Sequence, residues 1–182
     1  MTPGQWGACC TIATPGRRPN KGRVMAKLEV GDLAPEFELP DERGRAVRLS
    51  QELEKGPVLL VFYPGDFSPV CTRQLCSYRD SYDRFAELGV NLLGISDDTI
   101  AKHRRFKEER HFPFRLLADP RREVIECYAG IGLLSGGRAH RANFLVGKDG
   151  RLAYIHVEKV SLFHRGADEL YGALRRALGS PS

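Results

Sequence analysis

Val58-Leu59-Leu60-Val61-Phe62-Tyr63-Pro64-Gly65-Asp66-Phe67-Ser68-Pro69-Val70-Cys71-Thr72 is the stretch on which the fold turns. Val58–Tyr63 is an unbroken apolar run, the length of a strand buried on both faces as in a parallel sheet. Pro64–Phe67 reads as a turn. Ser68 stands at an N-cap position and Pro69 at the first helical position, so a helix is predicted from Pro69 to about Leu88, closed by Gly89. Val90–Ser96 is the next strand. Strand, long helix, strand is a βαβ unit.

Outward from this unit the punctuation stays regular. Upstream, Glu36–Leu39 and Ala46–Leu49 flank Asp41–Gly44 as a small hairpin, and Ser50 is placed to cap a short turn ending at Gly56. Downstream, Asp98 is placed to cap a helix through about Arg110, and Phe114–Ala118 is a third strand. Asp119-Pro120 forms an N-cap and first turn for a helix reaching Tyr128. Arg141–Val146 and Arg151–Val157, joined by Lys148-Asp149-Gly150, predict an antiparallel hairpin, and a last helix spans Ala167–Leu178. The order predicts an α/β fold, a central mixed sheet flanked by helices, and is similar to the thioredoxin-like arrangement.

The chain has 182 residues with 28 Lys+Arg against 23 Asp+Glu. Residues 1–24 hold Arg17, Arg18, Lys21 and Arg23 and no acid, leaving 24 basic and 23 acidic side chains in a nearly neutral body. Residues 1–24, rich in Pro and Gly, read as a disordered basic N-terminal extension, with Met25 a second candidate start. Residues 25–182 read as a single domain. The near-neutral body argues against a nucleic-acid partner. No apolar run approaches the ~18 residues of a membrane span. The five cysteines, Cys9, Cys10, Cys71, Cys76 and Cys127, are too irregularly spaced for a secreted disulfide framework, and an intracellular, cytoplasmic protein is expected. The five His do not cluster, so no metal is expected, and neither a Walker loop nor Gly-x-Gly-x-x-Gly signals a bound cofactor.

Cys71 is the third residue of the predicted helix, where unsatisfied N–H groups and the positive end of the helix dipole favour thiolate. Cys71, Leu75, Tyr78, Tyr82 and Phe85 recur on one face, pointing to the core. Five residues along a helix place the Cα atoms of Cys71 and Cys76 roughly 8–9 Å apart, beyond disulfide reach, so a bond between them would require local unwinding. Cys127 reads as a core residue.

Phe62–Thr72, with Pro64, Ser68 and Cys71 in the pattern Pro-x-x-x-Thr/Ser-x-x-Cys, Cys76 five residues on and Arg79-Asp80 after it, resembles the peroxiredoxin active site. The Cys-x4-Cys spacing is similar to that of the Q-type, or bacterioferritin-comigratory, atypical two-Cys subfamily. Gly31–Phe37, Gly94-Ile95-Ser96 and Arg141–Val146 extend the resemblance over about residues 27–178. Ser68 stands where the commoner residue is Thr, Val70 where the subfamily often has Gly, and Asp66-Phe67 is closer to the typical two-Cys branch.

The resemblance implies a thiol peroxidase acting on hydrogen peroxide and small organic hydroperoxides. It implies Cys71 as nucleophile, Ser68 holding the peroxide, Arg141 over the thiolate, Pro64 shielding the sulfenate and Cys76 resolving it into a disulfide. Thioredoxin or a similar thiol would be the reductant, and the protein a monomer or weak homodimer. Read as residues alone, Ser68 is also a plain cap, Arg141 a strand residue, and Cys76 a half-buried thiol with Cys127 or a second subunit resolving. A dithiol–disulfide oxidoreductase and a redox-regulated holdase are the rival functions.

Overall fold

The computed structural model describes residues 28–132, 138–158 and 166–179. The expectations for residues 1–24, including Cys9 and Cys10, lie outside the described residues. Five strands form the central sheet: β3 (Val58–Phe62), β4 (Asn91–Ser96), β5 (Arg115–Ala118), β8 (Arg141–Val146) and β9 (Leu152–Glu158), in the order β5-β4-β3-β8-β9. β3, β4 and β5 run parallel, whereas β8 is antiparallel to β3 and to β9. The mixed α/β sheet is the one expected. A hairpin of β1 (Glu38–Pro40) and β2 (Ala46–Arg48) and the short pair β6 (Ile131–Gly132) and β7 (Arg138–Ala139) stand beside it.

Strand period alone distributes the core. In β3, Val58, Leu60 and Phe62 enter one cluster and Leu59 and Val61 the other, all fully buried. The first cluster is closed by α1 (Leu49–Lys55) and α5 (Glu123–Tyr128), through Leu53, Val124 and Ile125. The second is closed by α2 (Pro69–Asp80), α3 (Tyr82–Glu87), α4 (Ile100–Arg110) and α6 (Ala167–Gly179), through Leu75, Tyr78, Phe85, Phe106, Leu170 and Leu174. Each such apolar side chain contributes roughly 1.5–3 kcal/mol on burial.

Four local expectations change. The predicted helix from Pro69 to Leu88 is two helices, broken at Ser81 (φ −111°, ψ 14°). Serine competes for backbone hydrogen bonds and tolerates such a break; Tyr78 and Phe85 still meet edge to face, 6.0 Å between centroids. Thr99, not Asp98, caps α4, its side chain accepting the Lys102 N–H. The Asp98 carboxylate instead accepts from the Asp66 N–H, Ser96 Oγ and Lys102 Nζ. Asp119 caps α5 from farther upstream than expected: its carboxylate accepts the Val124 and Ile125 N–H groups (3.0 and 2.9 Å), while Arg122, left-handed at φ 61°, precedes the first turn. Ser50 lies inside α1, which starts at Leu49.

Candidate active site

β3 ends at Phe62, with its parallel neighbour β4 on one side and antiparallel β8 on the other. The chain leaves the strand there through Tyr63–Ser68 and turns back as α2. Ser68 is extended (φ −62°, ψ 133°), as an N-cap requires, and its carbonyl accepts the Thr72 N–H at 2.8 Å. Its side chain makes no capping bond. Pro69 occupies the first turn, where its missing N–H costs nothing. Cys71, next in the turn but one, is fully buried with a free thiol.

The register that pairs Phe62 with Ala142 sets Arg141 at the same end of the sheet. Its Nη2 donates to Cys71 Sγ at 3.4 Å, and its Nη1 to Gln74 Oε1 at 2.5 Å. Gln74 Nε2 donates to the Tyr78 hydroxyl at 3.1 Å, which Asn143 Nδ2 reaches at 3.4 Å. All five side chains are buried. Burial pushes the Tyr78 phenol up to about 12, outweighing the hydrogen bonds from Gln74 and Asn143, so it stays neutral. A guanidinium inside the molecule is costly unless its donors are used; here the thiol and Gln74 take two of them in the forked geometry that only Arg offers.

Of the residues singled out from the sequence, Cys71 and Arg141 are in direct contact. Ser68 is half-buried at the head of the same helix, and Pro64 is buried at the start of the loop. Cys76 lies in the same unbroken helix, half-buried, at the rim of the apolar cluster that encloses Cys71. With α2 intact, helical geometry holds the two Cα atoms roughly 8–9 Å apart, so the reduced helix is not yet ready to close a disulfide. Cys127 is buried in the opposite cluster, across the sheet from Cys71.

Gln74, Tyr78 and Asn143 were not singled out as polar site residues. The signal was present in the spacing: Gln74 follows Cys71 by three residues on a helix and Asn143 follows Arg141 by two on a strand, so each faces the same way as its partner. Among the described residues, no group of three His, Cys, Asp or Glu side chains could hold a metal, and no helix is long and apolar enough to cross a membrane.

The AhpC/TSA family profile matches residues 30–155, which include the loop, α2 and Arg141. The chain belongs to that family. Peroxiredoxin Q, chloroplastic, of Oryza sativa subsp. japonica is 39% identical over 133 residues, covering 73% of this chain and 61% of the rice protein. Peroxiredoxin Bcp of Bacillus subtilis (strain 168) is 38% identical over 130 residues, 69% of this chain and 82% of the relative. The crystal structure of peroxidoxin BcpB from Mycobacterium tuberculosis superposes with a TM-score of 0.68 at 34% identity, covering 83% of this chain and 94% of that one. These relatives place the peroxiredoxin in the Q-type branch, although it spans only about three fifths of the plant proteins' length.

Proposed function

We propose that this peroxiredoxin is a thiol-dependent peroxidase for hydrogen peroxide and small organic hydroperoxides, with Cys71 as the peroxidatic residue. The observation that carries the reading is one guanidinium held between Cys71 Sγ and Gln74 at the N-terminus of α2. The Cys71 thiolate attacks the terminal peroxide oxygen; an S–O bond forms and the O–O bond breaks. The sulfur is oxidised to sulfenic acid, and the peroxide is reduced to water or an alcohol once the leaving oxygen takes a proton. Arg141 stabilises charge as it moves from sulfur to that oxygen, and Ser68 with the first-turn N–H groups holds the peroxide. Pro64, buried in the loop, shields the sulfenate.

Cys76 then attacks Cys71 Sγ, expelling water and forming a disulfide, for which the first turns of α2 unwind. A dithiol protein such as thioredoxin returns both cysteines to thiols in a two-electron exchange. That dependence on a reducing thiol pool favours a cytoplasmic setting and a monomer or weak homodimer whose α2 surface stays open to the reductant. Residues 25–182 are read as the working unit, and removal of residues 1–24 is expected to leave turnover unchanged.

The test is peroxide turnover with a thiol reductant in Cys71→Ser and Cys76→Ser, with mass spectrometry of the oxidised protein. Cys71→Ser is expected to be inactive. Cys76→Ser is expected to complete one oxidation and stall, and the unmodified protein to yield a Cys71–Cys76 disulfide. Sustained turnover by Cys76→Ser would refute the resolving step. Turnover by Cys71→Ser would refute the whole assignment.

A further inference from the structure

The loop that aims Cys71 is held by residues that take no part in the peroxide chemistry. Asp66 and His103 are 37 residues apart and have wholly buried side chains, with His103 Nδ1 2.7 Å from Asp66 Oδ2. His103 Nε2 lies 3.1 Å from the Leu117 carbonyl oxygen. A carbonyl only accepts, so Nε2 carries a hydrogen, and one proton is held between Nδ1 and the carboxyl group. The other Asp66 oxygen accepts from the Tyr63 hydroxyl at 2.7 Å, and the Asp66 N–H donates to Asp98 at 2.6 Å. Burial first, and Asp66 second, push the Tyr63 phenol well up, so that it remains a donor.

The next residue is gripped too. The Phe67 ring packs on Phe106 of α4 with centroids 4.8 Å apart, and the Arg105 guanidinium lies over the ring, 5.4 Å from its centroid. Phe67 has φ 62°, a left-handed conformation that a bulky side chain adopts only where its surroundings enforce it. At the head of α2 the hold on the chain is looser. Ser68 is half-buried with no side-chain capping bond, and Pro69 is exposed.

We propose that Asp66 and His103 are positioning residues that anchor the loop to α4, so that α2 unwinds from a hinge at Phe67–Ser68 and re-forms with Cys71 returned to Arg141. The proposal rests on the peroxidase reading and deepens it. The chain as far as Phe67 is a fixed post, and only residues from Ser68 onward travel when Cys71 reaches Cys76. A buried pair that served stability alone would, once cut, weaken the whole domain evenly and leave the aim of Cys71 unaltered.

Amide hydrogen exchange of the reduced full-length protein tests the anchor with no peroxide present. In His103→Leu, residues 68–76 are expected to exchange about tenfold faster or more, while β8 and α6 keep their rates. Asp66→Asn can still donate to Nδ1 and accept from Tyr63, and is expected to stay within about threefold of the unmodified protein. Should His103→Leu fail to fold, Tyr63→Phe removes a single hydroxyl and is expected to raise exchange at 68–76 by about threefold. In single turnover, Cys71 oxidation falls about tenfold in His103→Leu while Cys71–Cys76 closure does not slow.

Unchanged exchange at 68–76, or acceleration spread evenly over the sheet, would overturn the anchor. Failure of the peroxidase reading shows separately, as an unmodified protein whose Cys71 does not react with peroxide.

Discussion

Replacing Arg141 with Gln removes a charge from beside the reacting sulfur and keeps a polar side chain in its place. With Nη2 at 3.4 Å from Sγ, an effective dielectric of about 20 puts the charge–charge interaction at about 5 kcal/mol, a ceiling of a few thousand-fold in rate. A free thiol is already about 3% ionised near pH 7, so an arginine that merely favoured thiolate would contribute at most about 30-fold, near 2 kcal/mol. The remainder must come from stabilising charge on the departing oxygen, which no rise in pH replaces. Arg141→Gln is therefore expected to lose several hundred-fold in the second-order rate of peroxide reduction, with most of the loss persisting at about pH 9. The assay is stopped-flow peroxide consumption from about pH 6 to pH 9 on protein shown folded by circular dichroism. A loss below about 30-fold that disappears as pH rises would refute the assignment and leave Arg141 as an ionisation aid.

Other perturbations reach the same site and its frame. Gln74→Leu leaves the Arg141 Nη1 donor without its 2.5 Å acceptor; a hydrogen bond to a charged group is worth about 1.5–3 kcal/mol, so peroxide kinetics should show roughly a 10–100-fold loss. Burial acts to raise the Asp98 carboxyl, but Lys102 and the Asp66 N–H outweigh it and hold it below 3.8. Its stabilisation is thus fully present above 3.8 and lost as pH falls through the lower native value; urea unfolding below about pH 4 should show a shallower acid loss in Asp98→Asn. Gly56→Ala sets a Cβ 2.6 Å from the Gly89 backbone oxygen. Backbone must shift to make room, and a loss of about 1–3 kcal/mol in urea unfolding is expected, with the peroxide rate unchanged.

Much of the fold was legible because its signals are local. Val58–Phe62 forms a strand buried on both faces, and the hydrophobic period and the Ser-Pro start located α2 and the Cys71 turn within it. The break at Ser81 was not legible: a helical period continues across it, Tyr78 and Phe85 still meet on one face, and only the backbone of Ser81 (φ −111°, ψ 14°) shows the interruption. Asp98 illustrates the opposite error. It has the chemistry of a cap but stands one residue before the N-cap position; its carboxylate accepts the Asp66 N–H, 32 residues away, and Thr99 caps the helix.

Sequence alone determined which sulfur heads a helix, on which face it lies, and that Cys76 stands five residues along on the same helix. These are properties of consecutive residues, carried by 3.6- and 2-residue periods and by proline and serine chemistry. Tertiary structure alone decided what meets that sulfur. Arg141 lies 70 residues away in sequence and reaches Cys71 through the register of β8 on β3. His103 of α4 finds Asp66, 37 residues away, through the packing of that helix on the sheet. Such pairings depend on strand register and helix packing, in which a shift of one residue turns a side chain to the opposite face.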